Sequence, residues 1–197
     1  MYSRDYFIAH IHKYIPLDER ETEFLRSSVF IKSFKKGEYL LKEGQVSKEF
    51  FFNLKGCVRL FYVVNGEEKS SFFYTENNFI SSYESFVHQT PAKHNFQCIE
   101  DCELVVITSE SASQLLKYSP KFESLARIVM EEELVIYQNM VASYVTLNPE
   151  QRYQAFLAEN GELMHRIPQH FIASYLGVNA ESLSRIKKRL YEKDKKS

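Results

Sequence analysis

The stretch Ile167–Leu190, IPQHFIASYLGVNAESLSRIKKRL, restricts the possible folds of this chain more than any other. Small or apolar residues at Ile172, Ala173, Leu176, Val178, Leu183 and Ile186 predict two short helices packed at a sharp corner. Gly177 falls where the first helix must end, and Asn179 where the second can be capped. This is a helix-turn-helix pattern. Its second helix carries Ala180, Glu181, Ser182, Ser184, Arg185 and Lys188 on the outer side, with lengths and donors suited to base edges and phosphates in a major groove. Gln169 and Asn179, at the starts of the two helices, complete the candidate DNA-facing set.

The charge distribution agrees with that reading. The whole chain has a formal net charge of -1, which says little about partners. From Glu181 to Ser197, however, Arg185, Lys187, Lys188, Arg189, Lys193, Lys195 and Lys196 stand against Glu181, Glu192 and Asp194, a local net of +4. A solvated terminal tail would have the same composition; the helix pair upstream favours a nucleic-acid face.

Other classes are excluded by what the sequence lacks. No run of about 18 apolar residues exists, and MYSRDYFIAH has no signal-peptide core, so a soluble cytoplasmic protein without membrane contact is expected. Cys57, Cys98 and Cys102 are odd in number and lack CxxC spacing, and they read as ordinary strand cysteines. His88 and His94 lack a third ligand, so no metal site is expected. Ser81, Ser82, Glu84 and His88 form neither a nucleophile elbow nor an oriented acid-base set, and no enzyme activity is expected.

Residues 4 to 15 and 18 to 27 predict two amphipathic helices that cover the next part of the chain. From Val29 the chain breaks into short β-branched and aromatic runs punctuated by Gly37, Gly44, Gly56 and Gly66, which argues for an antiparallel β-rich domain. Asn65-Gly66 is the strongest hairpin signal, because both residues tolerate positive φ. Residues 79 to 95 interrupt the strands with a polar-aromatic segment that either forms a pocket or caps one end of a barrel. FQCIEDCELVVIT then resumes them across Glu100-Asp101.

After a short helix at 110 to 117, Ser119-Pro120 opens a helix running to about Val145. Phe122, Ala126, Val129, Glu133, Ile136, Met140, Tyr144 and Leu147 recur along it every three or four residues. Its length, roughly 39 Å, and this stripe predict a two-helix homodimer seam. Glu133 interrupts the stripe and must lean outward or pair. A helix over 149 to 159, with Tyr153, Phe156 and Leu157 inward, ends at Asn160-Gly161.

Glycine-punctuated strands, a long helix, RY..FL and IPQ..IASYLGVNAESLSRI together resemble the Crp-Fnr family of bacterial transcription regulators, in particular cyclic-nucleotide-binding-like members from Bacteroidetes. The likeness covers most of the chain and is sharpest from Ile172 to Ile186. In the strand region it rests on element order and on the placement of Phe34-Lys35-Lys36-Gly37, Gly44, Gly56 and Asn65-Gly66. It implies an α+β fold: an N-terminal cyclic-nucleotide-binding-like β-roll (a double-stranded β-helix or jelly roll) at 1–118, a dimerisation helix at 119–146, and a C-terminal winged helix-turn-helix at 147–197.

The resemblance also implies partners: a homodimer on near-palindromic double-stranded DNA with half-sites about 34 Å apart, and RNA polymerase. Glu181 matches the family's cytosine-reading acid, and Arg185 an arginine that contacts bases or phosphate. Ser182 and Ser184 match short contact residues. The family's arginine before that acid is Ala180 here, which alters the expected target, since a bidentate Arg contact to guanine contributes about 1–3 kcal/mol of discrimination.

Cyclic-AMP-binding members hold the ribose with Gly-Glu and the cyclic phosphate with Arg-Ser or Arg-Thr. The matching segment is Phe79-Ile80-Ser81-Ser82-Tyr83 and Pro91-Ala92-Lys93-His94-Asn95, where Ser82 replaces the acid and no arginine occurs. Lys93 lacks the planar fork for bidentate phosphate contact. Phe79, Ser81, Ser82, Tyr83, Lys93 and His94 therefore stand as effector-pocket candidates, with cyclic AMP not expected, no cofactor, and an unidentified small-molecule effector or none. The family's iron-sulfur members need cysteines near the N-terminus, whereas the first here is Cys57. The alternative to a DNA-binding regulator is a small-molecule signalling or protein-interaction module that keeps the fold.

Overall fold

Apolar periodicity switches from helical to alternating at Val29 and back at Ser109, and the elements obey it. In the computed structural model, which describes residues 4–195, α1 (Arg4–Ile11) and α2 (Glu19–Ser28) precede β1 (Phe30–Phe34), β2 (Tyr39–Leu41), β3 (Glu49–Lys55), β4 (Val58–Val64), β5 (Glu67–Tyr74) and β6 (Phe79–Ile80). Then come α3 (Tyr83–His88), β7 (Asn95–Cys98), β8 (Cys102–Thr108), α4 (Ser109–Tyr118) and α5 (Pro120–Thr146). The chain continues through α6 (Pro149–Asn160), α7 (Leu163–Arg166), α8 (Gln169–Tyr175) and α9 (Ala180–Asp194). Lys196 of the basic stretch lies outside the described residues, as do Met1–Ser3 of the N-terminal reading.

The strands form two antiparallel four-stranded sheets, ordered β1-β8-β3-β6 and β2-β7-β4-β5. The β4–β5 turn places Asn65 at φ 54° and Gly66 at φ 80°, two consecutive left-handed residues, as a tight hairpin requires. Contacts divide the chain into two compact units: residues up to Leu60 with Phe73–Val135, and Phe61–Phe72 with Ile136 onward. The boundaries expected at 118 and 146 make no allowance for the hairpin tip grouping with the helices. Ser174 explains that grouping, because its Oγ accepts from Ser70 N at 2.9 Å and donates to Glu68 O at 3.2 Å.

In the first unit, strand alternation sorts the side chains. Phe51 pairs with Ile80 and Val106, while Phe52 pairs with Phe79 and Val105. Phe52, Leu54, Val105 and Ile107 face a core completed by Phe7, Ile11, Leu25, Leu115 and Phe122. The N-terminal helices thus cover the outer face of the sheet. Each such side chain contributes about 1.5–3 kcal/mol on burial. Glu21, in a capping box with Asp18, accepts from Ser119 Oγ at 2.7 Å and from Lys121 Nζ at 2.7 Å. Hydrogen bonds from Lys121 first, then Ser119 and the Asp18 amide, hold its carboxyl down to about 2.

Two expectations change. The wing implied by the resemblance is not formed by the described residues, since no strand follows β8 among them; where a hairpin could stand, residues 163–166 coil into α7. The long-helix stripe also splits. Phe122 and Val129 are buried, Phe122 within the first unit's own core, so these two positions are already occupied and not available to a seam. Glu133 is paired rather than turned outward, accepting from Tyr74 Oη at 3.5 Å. Met140 is half-buried, whereas Ile136, Val141, Tyr144 and Val145 are exposed.

Candidate nucleic-acid interface and effector segment

The second unit builds its corner from local chemistry. α8 ends at Tyr175 with Leu176 as its C-cap, and Gly177 takes φ +71°, a left-handed position that reverses the chain. Gly177 N donates to Ser174 O at 3.0 Å and Val178 N to Ala173 O at 3.0 Å, closing carbonyls the helix leaves open. Asn179 then accepts from Ser182 N at 2.8 Å through its side chain and caps α9. Ile172, Ala173, Leu176, Leu183 and Ile186 are all buried, joined by Tyr153, Phe156 and Ile167.

Arg152, which the sequence pattern did not single out, locks this corner. Its Nε and Nη2 donate to Leu176 O at 3.2 and 2.9 Å, and its Nη1 donates to Leu147 O at 2.6 Å. The guanidinium also lies 5.0 Å from the Tyr144 ring centroid, and Tyr144 Oη donates to Tyr175 O. Tyr144, expected on the dimer seam, thus also braces the first helix of the corner. Burial, then the neighbouring Tyr144 and Glu159, pushes the Tyr175 phenol up to about 12. The only signal for Arg152 was its place in RY..FL, where a lone arginine four residues into a capped helix looks like surface.

On α9, Ala180, Glu181, Ser184, Arg185 and Lys188 are exposed and Ser182 is half-buried. Glu181 and Arg185 stand 3.9 Å apart with both side chains more than two-thirds exposed, a pair too weak to hold either in place. The rest of the basic stretch is more committed. Arg189 and Lys193 meet Glu150 at 3.0 and 2.9 Å, and hydrogen bonding from Lys193, above all, lowers that carboxyl. Gln169 accepts from Lys187 Nζ at 2.9 Å, so the start of α8 is tied to the middle of α9. The face free for a groove is therefore narrower than the charge count suggests, centred on Glu181, Ser184, Arg185 and Lys188.

In the first unit, the effector candidates differ in exposure. Ser81 and Ser82 are buried at the start of α3, and Ser82 makes no side-chain cap. Lys93 points to solvent and donates to Glu84 Oε1 at 2.8 Å and Oε2 at 3.1 Å, while the Glu84 carboxyl is lowered chiefly by that hydrogen bond. His94 packs edge-on to Phe96 at 5.0 Å, and burial lowers its pKa against the opposing pull of Glu84. Phe79 and Tyr83 line an apolar cavity that Ser81, Ser82, Lys93 and His94 do not reach. The guanidinium of Arg59 on β4 is fully buried. It was missed by sequence reading, although a lone charge in the run VRLFYVV marks it.

Among the described residues no group of three or more His, Cys, Asp or Glu could hold a metal ion, and no helix is long and apolar enough to cross a membrane.

The family profile described as cyclic nucleotide-binding domain matches residues 31–119. No curated protein sequence matches the chain. Among solved structures, FixK2 from Bradyrhizobium japonicum is 15% identical with a TM-score of 0.72, covering 84% of this chain and 86% of its own. CLP from Xanthomonas campestris, a c-di-GMP-responsive global regulator, is 16% identical with a TM-score of 0.72, covering 90% and 93%. A CooA mutant from Carboxydothermus hydrogenoformans is 13% identical with a TM-score of 0.68, covering 94% and 84%. Residues 31–119 thus match the cyclic nucleotide-binding domain profile, and the chain shares its fold with FixK2, CLP and CooA.

Proposed function

We propose that this protein is a sequence-specific DNA-binding transcription regulator that acts as a homodimer on a near-palindromic site and does not respond to cyclic AMP. The carrying observation is the capped α9, whose Glu181, Ser184, Arg185 and Lys188 stand exposed on a buried two-helix corner. Glu181 suits a cytosine amino group, Arg185 a guanine edge or phosphate, and Lys188 a phosphate. Dimerisation uses the apolar residues that the second unit leaves exposed on α5, Ile136, Val141 and Val145. The cyclic AMP part of the reading rests on Lys93, whose ammonium is engaged by Glu84, and on the absence of an arginine in 79–95.

Selection from randomised duplexes on the purified chain, with salt recorded, tests this reading. The expected outcome is an enriched palindrome bound less tightly as salt rises. Enrichment no greater than for random DNA refutes it. Val141→Glu, at an exposed position, is expected to keep the fold and lower the sedimenting mass to that of one chain by placing a charge in an apolar contact.

A further inference from the structure

The first unit contains a cavity of about 500 Å³, within the roughly 300–1,000 Å³ range of small-molecule pockets. It does not lie on the inner face of the roll. Phe50 and Phe79 line it, and Phe79 pairs with Phe52 on the helix-covered side of the sheet, whereas Phe51 and Ile80 form the adjacent pair and face the other way. Its remaining walls come from Ile107 of β8 and from α1, α2, α3, α4 and the first three turns of α5. None of Ser81, Ser82, Lys93 or His94 contributes, so its chemistry differs from that of a nucleotide site.

Four features define what fits. The walls are apolar, so the space has no set of polar groups to hold water and favours an apolar guest. A void of this size is far from the close packing of protein interiors. The mouth is marked by large apolar side chains in contact with solvent, with Tyr83, Val87 and Leu116 each more than two-fifths exposed. Among the described residues, Arg127 is the one charged side chain lining the cavity. Its Nη1 donates to Glu131 at 2.7 Å and its side chain is 63% exposed, which leaves further N–H groups of the guanidinium for a second carboxylate.

We propose that this cavity binds a single-chain carboxylic amphiphile, with the acyl tail between the Phe50–Phe79 face and the helices and the carboxylate at Arg127. A polar or branched headgroup finds no partner deeper in, whereas an unbranched tail needs none. Entry past Tyr83, Val87 and Leu116 leaves the head in water beside the Arg127 guanidinium.

Titration of the full chain with cis-parinaric acid, a fluorescent straight-chain carboxylic acid, and with its methyl ester tests the assignment. Saturable binding of one acid per chain is expected, with the ester about three- to fivefold weaker, as the loss of one exposed charge pair implies. Arg127→Gln should bring the acid to the ester's affinity. Ala112→Trp should fill the space and abolish binding. Leu116→Glu, at an exposed position that leaves folding intact, should weaken binding at least tenfold by placing a charge at the mouth. Palmitic acid should displace the probe and cyclic AMP should not.

Absence of saturable binding, indifference to both Ala112→Trp and Leu116→Glu, or displacement by cyclic AMP would each overturn the site. Equal affinity for acid and ester in wild type and Arg127→Gln would overturn the carboxylate assignment.

Discussion

The helix-turn-helix corner and the 79–95 segment have opposite relations to their charges. At the corner, Arg152, Asn179 and the turn amides close the exposed carbonyls and amides with local partners, which leaves Glu181 and Arg185 on α9 only loosely paired at 3.9 Å. In the segment, the Lys93 ammonium that could have met a phosphate is held by Glu84 at 2.8 Å, and Ser81 and Ser82 are buried. A recognition surface stays available when its scaffold is satisfied from behind. A candidate pocket loses its chemistry when its charge finds a neighbour.

The sharpest way to break this contrast is to remove the scaffold. Leu176→Ala deletes a fully buried side chain at the corner, and the second unit should lose about 2–5 kcal/mol in denaturant unfolding together with DNA binding. Arg152→Met leaves the Leu176 and Leu147 carbonyls without their donor. A loss of about 1–3 kcal/mol is expected, read in the same unfolding experiment, and the distorted corner should weaken DNA binding as well.

Arg185→Ala separates reading from folding. It should reduce specific DNA binding by about 1–3 kcal/mol, roughly 5- to 150-fold, with an unchanged unfolding midpoint. A lower midpoint with unchanged DNA binding would reverse the roles assigned to the two sides of the corner.

Two lysine-glutamate pairs in the first unit sharpen the other side of the comparison. Glu21, 7% exposed and bonded to Lys121 and Ser119, has its carboxyl lowered from 4.5 to about 2. A depressed carboxylate contributes stability above its unfolded value, and that contribution is lost as pH falls from about 4.5 toward 2. The stability difference between wild type and Glu21→Gln should therefore be flat near neutral pH and shrink across that acidic window. The exposed Glu84–Lys93 pair should show far less. Lys93→Ala is expected to change stability by less than about 1 kcal/mol, and Glu84→Ala to leave cyclic AMP unbound in calorimetry, because a released lysine still lacks arginine's fork.

Much of this molecule is legible in the amino-acid sequence where the physics is local. A proline at a first helical turn, Asn179 ahead of α9, Gly177 at positive φ and Asn65-Gly66 between strands each fix backbone geometry within a few residues. The element order and the two-helix corner result from them. Arg152 and the Glu84–Lys93 pair were not legible, because each owes its environment to atoms brought near by the fold; Arg59 shows in the sequence only as a lone charge in an apolar run, and the fold alone buries it.

The α5 stripe shows where the division falls. Its spacing determined that Phe122, Val129, Ile136, Met140 and Tyr144 recur along a long helix, since 3.6 residues per turn is a property of the backbone alone. Only tertiary structure decided that Phe122 would join the Phe7–Leu25–Leu115 core, that Ala126 would line a cavity and that Tyr144 would brace Tyr175. Periodicity says which side chains share a face. The surface that covers that face is supplied by residues far away in sequence, through burial that is proportional to area and indifferent to chain order.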